Sequence, residues 1–171
     1  MKMLQFRTLP TVFLWLLLLP SCRLASGQAF DQMVHQLLSH TVPEVRARDI
    51  YPSTHPQELV WLDAREREEF EVSHIANALW AGYDDFSLDR LNGISKHTPI
   101  VVYCSVGYRS EKIAEKLIAA GYTHVANLVG GMFDWVNCGY PVVDTAGSPT
   151  AKVHAFSPAW GIWLEKGEKV Y

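Results

Sequence analysis

Cys104 and Arg109 stand with four residues between them in the stretch VVYCSVGYRSEKIAEKL. A cysteine acts as a nucleophile through its thiolate, and a free thiol, with a pKa of about 8.5, is mostly protonated at neutral pH. Three features of this stretch favour a charged sulfur. A helix starting near Arg109 or Ser110 offers unpaired N–H groups and the positive end of its dipole. Arg109 adds a permanent charge. Gly107 lets the loop curl so that successive amides point inward as an anion cradle. The competing reading is bland: a cysteine after a strand is usually a small buried hydrophobe.

Other chemistry-bearing residues carry two readings each. Asp63, Arg65 and Glu69 could form a general acid/base set, but their place at a strand end and helix start favours a role in tying down loops and caps. His74 is either a proton shuttle or, as favoured here, a hydrogen-bond partner of the backbone beside Ile75. Cys138 either resolves an oxidised Cys104 or packs as a thiol. Trp80, Tyr83, Tyr108 and Phe133 either rim a pocket or fill the core. Gly130 and Gly131 suggest a turn needing positive φ more than a phosphate loop. No His/Cys spacing fits a zinc site, and no metal or cofactor is expected.

These residues need a scaffold, and the hydrophobic pattern supplies one. TPIVVYC is the strongest strand signal, and SEKIAEKLIAAGY the strongest helix, with a stripe of Ile113, Ala114, Leu117 and Ile118 and Gly121 as its stop. LVWLDAR reads as a buried strand, EREEFEVS as a short helix and NALWAGY as another strand. YDDFSLDRL is helix-like, with Asp84 or Asp85 available as its cap. HVANLVGG is a strand entering a glycine turn, and MFDWVNCG the next helix. Upstream, Phe30, Met33, Val34, Leu37 and Leu38 form one apolar helical face, followed by a short extended VPEV and a proline-broken RARDIYPSTHPQ. Alternating short strands and helices predict an α/β fold, a central parallel sheet with helices on both faces. In such sheets the site lies outside the carboxyl ends of the strands, where Cys104 falls.

The 171 residues suit one domain, and 49% hydrophobic against 19% charged residues exclude a disordered chain. A net charge of −3 gives no case for nucleic acid. Residues 1–27 read as an export signal: Lys2 and Arg7, then the apolar TVFLWLLLLP, then the small residues of SCRLASGQ. Two processing routes stay open. LPSC resembles a lipobox cut before Cys22, which would carry lipid and attach the chain to a membrane; Ala25 and Gly27 alternatively mark an ordinary cleavage before Gln28. The expected destination is the periplasm or outer cell envelope. Residues 28–143 form the domain with its N-terminal helix, and residues 144–171 a linker (DTAGSPTAK) and an apolar tail. In that tail Val153, Phe156, Trp160, Ile162, Trp163 and Leu164 are expected to pack on the domain.

Three ordered motifs resemble the rhodanese family of single-domain sulfurtransferases: LDAREREEFEVSHIANAL, VVYCSVGYRSEKIAEKLIAAGY and HVANLVGGMFDWVNCGYPV. Ser73 and Asn77 replace glycines usual in the first motif, and the loop CSVGYR is its own variant. The resemblance implies a rhodanese-like fold and a Cys104 nucleophile that accepts sulfane sulfur from thiosulfate or a persulfide. Ser105, Val106, Gly107, Tyr108 and Arg109 would bind the substrate, with Arg109 stabilising the donor or the transferred sulfur; Asp63, Arg65 and His74 belong to the structural signature. Cyanide, a thiol or a protein acceptor or reductant would take the sulfur onward. The alternatives are a sulfur-carrier or protein-binding module, and a phosphatase or arsenate reductase. The related phosphatases and reductases place five residues between Cys and Arg, so the four seen here favour sulfur.

Overall fold

The computed structural model describes residues 19–51 and 59–171, with side chains from Gly27 onward. The side chain of Cys22, the expected leader before Leu19 and most of the proline-rich loop lie outside the described residues. Along the chain run α1 (Leu19–Leu37), β1 (Glu44–Arg46), α2 (Ala47–Ile50), β2 (Val60–Asp63), α3 (Arg67–Val72), β3 (Leu79–Trp80) and a 3-10 turn (Leu88–Leu91). Then follow β4 (Ile100–Tyr103), α4 (Tyr108–Ala119), β5 (Val125–Val129), α5 (Gly131–Asn137), β6 (Val142–Val143), β7 (Pro149–Thr150), β8 (Lys152–His154), α6 (Pro158–Gly161) and β9 (Glu168–Val170). Among the described residues, no helix is long and apolar enough to cross a membrane.

The main sheet is parallel, in the order β1-β5-β4-β2-β3. Its centre, β4, is buried along its whole length, as the continuous apolar run IVVY requires. Alternation along β4 sorts the core. Val101 and Tyr103 face a layer built by α1, α5 and the C-terminal tail; Ile100 and Val102 face a layer built by α4 and the 3-10 turn. Helices therefore cover both faces, as the α/β pattern predicts. In α4, Ile113, Ala114 and Leu117 are fully buried while Ile118 is exposed, so the stripe is narrower than the sequence suggests. Gly121 stops that helix at φ +91°.

Three expectations are corrected. The stretch YDDFSLDRL forms only a 3-10 turn, capped by the Ser87 hydroxyl rather than by Asp84 or Asp85. The expected linker is a hairpin: β6 and β7 pair antiparallel, and Asp144 accepts the N–H groups of Ala146 and Ser148 across its turn. In the tail, Val153 and Leu164 are buried and Trp160 and Trp163 pack on the core, but Phe156 and Ile162 remain exposed.

The flanking segments are tied to the sheet by specific bonds. The Glu111 carboxylate, buried in the first turn of α4, accepts the N–H groups of Ser39 (3.0 Å) and Thr41 (3.2 Å), which fixes the end of α1 beside the Cys104 loop. Asn137 anchors the tail: its Nδ2 donates to Trp163 O (2.9 Å) and its Oδ1 accepts from Glu165 (2.8 Å). Phe30 and Trp163 join the two flanks, with ring centroids 5.9 Å apart. The tail also pairs with itself through β8 and β9.

Candidate active site

Cys104 is the first residue beyond β4, and it is 1% exposed. The Gly107 N–H donates to its Sγ at 3.1 Å. The chain reverses there with Gly107 at φ +116°, a conformation in which a Cβ is strained. The Ser110 hydroxyl sits 3.5 Å from the same sulfur and donates to Asn127 Oδ1 at 2.7 Å. Asn127, buried on β5, also donates through Nδ2 to Gly107 O at 3.0 Å. One amide side chain thus holds the glycine peptide and the hydroxyl, the two groups beside the sulfur.

The double glycine sets the direction of the loop peptides. The carbonyls of Cys104, Ser105 and Val106 accept N–H groups from Met132 (2.8 Å), Phe133 (3.0 Å) and Gly130 (3.1 Å). These donors lie at the start of α5, where no intrahelical acceptor exists. The approach is so close that a Cβ on Gly131 would meet Cys104 O at 2.3 Å and the Ser105 carbonyl carbon at 2.8 Å. The carbonyls are thus committed to α5. The amides of Ser105, Val106, Tyr108, Arg109 and Ser110, by contrast, have no acceptor among the described residues. A run of unpaired amides at a helix start is an anion cradle.

Arg109 lines the pocket and is already partnered. Its guanidinium forms a two-point pair with the buried Glu69, at 2.6 and 2.8 Å, and its Nη2 also donates to Ser105 Oγ at 3.0 Å. The Ser105 hydroxyl in turn donates to Glu69 Oε1 at 3.0 Å. Burial disfavours the Arg109 charge, but the bonds to Glu69, the nearby Cys104 sulfur and the Glu69 charge outweigh it and hold its pKa above the ordinary value. Burial likewise pushes Glu69 up, yet the bonds and charge of Arg109 prevail and hold it below the usual carboxylate range. The cation that the sequence assigns to substrate is thus already partnered. Glu69, grouped by sequence with residues that tie down loops and caps, does so and is also part of the site: its carboxylate accepts the Glu66 N–H at 3.1 Å in the capping box of α3 and holds Arg109.

The remaining signature residues, Asp63, Arg65 and His74, do not line the pocket. Arg65 is fully buried, bound to both Asp63 carboxylate oxygens and to Ser73 O. His74 shares a hydrogen bond with Phe70 O at 3.0 Å. Cys138 closes α5 outside the pocket; burial and the neighbouring Asp134 raise its pKa. Of the four aromatics considered for the rim, Tyr108 alone lines the pocket. Phe133 is core, Trp80 packs between Arg67 and Arg90, and Tyr83 lies near Lys116.

The Cys104 loop opens into a cavity of about 370 Å³. Its base is Cys104, Ser105, Val106 and Arg109; its sides are Tyr108, Leu37 from α1, and Phe156 and Trp160 from the tail. Phe156 stands with its ring centroid 5.2 Å from the Arg109 guanidinium.

Residues 49–138 match the model of the rhodanese-like domain. The chain belongs to the rhodanese-like family. It is 34% identical over 83 residues to the thiosulfate sulfurtransferase GlpE of Coxiella burnetii, covering 46% of this chain and 73% of that one. It is 35% identical over 74 residues to the putative sulfur carrier protein YrkF of Bacillus subtilis, covering 43% of this chain and 40% of that protein. A rhodanese-like domain from Anabaena sp. superposes with a TM-score of 0.55 at 26% identity, over 60% of this chain and 79% of that one. Sulfurtransferase activity is thereby supported at the level of the family. The matched span contains Cys104, Arg109, Glu69, Asn127 and the double glycine, whereas Leu37, Phe156 and Trp160 lie outside it.

Proposed function

We propose that this rhodanese-like protein is a sulfurtransferase in which Cys104 carries sulfur as a persulfide. The observation that carries the reading is the Gly107 amide at 3.1 Å from Cys104 Sγ, within a loop where the amides of Ser105, Val106, Tyr108, Arg109 and Ser110 have no acceptor among the described residues. In the first half-reaction the Cys104 thiolate attacks the outer sulfur of the donor. The Sγ–S bond forms, the donor's own S–S bond breaks, and its electron pair leaves with sulfite or a thiolate. The charged terminal sulfur then rests among the amides of residues 105–110, in a site where such donors act with little reorganisation. In the second half-reaction an acceptor (a thiol or cyanide) takes that sulfur and returns the Cys104 thiolate. Ser110 and Asn127 hold the loop, and Arg109 with Glu69 closes its side. The same reading places the protein outside the cytoplasm, in the periplasm or outer envelope, supported by the basic-then-apolar N-terminus and by LPSC around Cys22.

Intact mass spectrometry of the mature protein, before and after excess thiosulfate or an organic persulfide, tests this. The expected result is a gain of one sulfur that maps to Cys104 and is absent in Cys104→Ala. An unchanged mass with both donors, or an equal gain in the variant, overturns it. The same spectra report the N-terminal residue and any lipid on Cys22.

A further inference from the structure

The pocket's chemistry is split. Charge at its base is already balanced, because Arg109 is held at two points by Glu69. Above the base, Leu37, Tyr108, Phe156 and Trp160 present carbon. A small dianion such as thiosulfate would meet the amide cradle at the base but would draw nothing from these walls, which offer a charged group no partner. The cavity of about 370 Å³ is also far larger than such an ion needs. It falls at the small end of the roughly 300–1,000 Å³ range of organic-ligand sites, which are mostly apolar with a few fixed polar groups.

The tail bears a further sign. Phe156 has φ +64°, the left-handed region that a bulky residue rarely adopts, and it is 48% exposed rather than buried. The Phe156 N–H donates to His154 Nδ1 at 3.2 Å, and the Ser157 N–H to Ala155 O at 2.7 Å, so the bend is fixed on both sides. The bend follows β8 and delivers the ring beside Arg109. Backbone strain held in place at the mouth of a site is a recognised mark of function.

We propose that this pocket selects an organic sulfane-sulfur compound whose substituent is uncharged and aromatic or branched aliphatic, and that Phe156 and Trp160 set that preference. The proposal rests on the sulfurtransferase reading and names its substrate class. For a persulfide R–S–SH, the Cys104 thiolate attacks the outer sulfur, the donor S–S bond breaks, and R–S⁻ leaves with the electron pair. The group R lies against Phe156, Trp160 and Leu37 while the transferred sulfur lies in the amide cradle.

Two thiosulfonates, R–SO2–S⁻, test the preference because they share charge and reacting atoms and differ only in R. Attack of the Cys104 thiolate on the outer sulfur leaves the Cys104 persulfide anion and the sulfinate R–SO2⁻. The measurement is kcat/KM for benzenethiosulfonate relative to methanethiosulfonate, each divided by its rate with a free thiol. The full-length protein is expected to favour the benzene donor by about tenfold or more, the scale at which apolar pockets discriminate. Phe156→Gly and Trp160→Ala are each expected to lower that ratio, and the double variant to bring it within about threefold of unity. Phe156 is half exposed, so Phe156→Gly supplies the comparison whether or not Trp160→Ala folds. A wild-type ratio near unity, or a ratio unchanged in Phe156→Gly, overturns the proposal while persulfide formation upholds sulfur transfer. Absence of any Cys104 persulfide with both donors overturns the two together.

Discussion

At the base of the pocket, polar atoms hold one another. Cys104 Sγ, Gly107, Ser110 and Asn127 form one hydrogen-bonded chain, and Glu69, Arg109 and Ser105 form another. At the rim, Leu37, Phe156 and Trp160 come from the two flanks of the chain and contribute surface rather than hydrogen bonds to the loop. The base must hold a nucleophile and an anion cradle to within fractions of an ångström, because reactivity falls steeply with misplacement. The rim must only exclude water and fit a substituent. Tyr108 apart, the molecule therefore keeps two tasks on separate pieces of chain: the base within the family span, the rim outside it. Substitutions should divide accordingly, those at the base harming fold and turnover together and those at the rim changing substrate choice alone.

The largest effect is expected at Glu69. Glu69→Ala leaves the Arg109 guanidinium buried without its partner, at a stability loss of about 3–5 kcal/mol. The loss appears as a lower Tm, by roughly 2–4 °C per kcal/mol in a chain of this size. The pH dependence sharpens the point. The Glu69 pKa is lowered on folding, so its contribution is complete above the ordinary carboxylate value and is lost as pH falls through the lowered one. Acid unfolding of the wild type should steepen below about pH 4.5, the ordinary glutamate value. Glu69→Gln should flatten that part of the curve; an identical acid limb in the variant would show that the pair adds nothing to folding.

Next comes Gly131→Ala. The added methyl would lie on the backbone of Cys104 and Ser105, and neither a flexible side chain nor free space can absorb it. The loop must move, so kcat/KM should fall about 100-fold, the penalty of an ångström-scale displacement. A variant with full activity would separate the double glycine from the cradle. Asn127→Ala should be milder, about 1–3 kcal/mol in stability, because the Gly107 carbonyl and the Ser110 hydroxyl lose a buried partner. Its decisive reading is whether the persulfide, once formed, decays faster than in the wild type.

The same division explains what was legible in the sequence. The strand into Cys104, the helix after it and the glycine turn are local patterns, and periodicity alone exposes them. Their place at the carboxyl end of a central parallel strand follows from the alternation of strands and helices. The partnership of Glu69 with Arg109 spans forty positions and exists only once β2 and β4 pair side by side. Nothing local in REEF distinguishes a capping glutamate that will also meet that arginine from one that only caps. Asn127 was readable in principle, as a polar residue inside the buried strand VANLV, because a buried amide needs partners. Phe156 and Trp160 carried the weaker signal that a tail so apolar must pack. Which tail residues pack and which face the pocket depends on the bend at Phe156, a backbone conformation that residue type argues against.

The smallest effect on stability is expected at that bend, which makes it the sharpest probe of the division. Phe156→Gly relieves a left-handed conformation that costs a bulky residue about 1–2 kcal/mol. Against that gain stand greater chain entropy in the unfolded state, of roughly 0.5–1 kcal/mol for a glycine, and the loss of the ring's contact with Arg109, of about 0.5–1 kcal/mol at an exposed site. The terms nearly cancel, so Tm should stay within about 3 °C of the wild type. If it does so while the thiosulfonate ratio falls, the rim selects without supporting the fold. If Tm drops as far as in Glu69→Ala, the ring is a structural member of the Arg109 cluster, and the boundary between base and rim must be redrawn to include it.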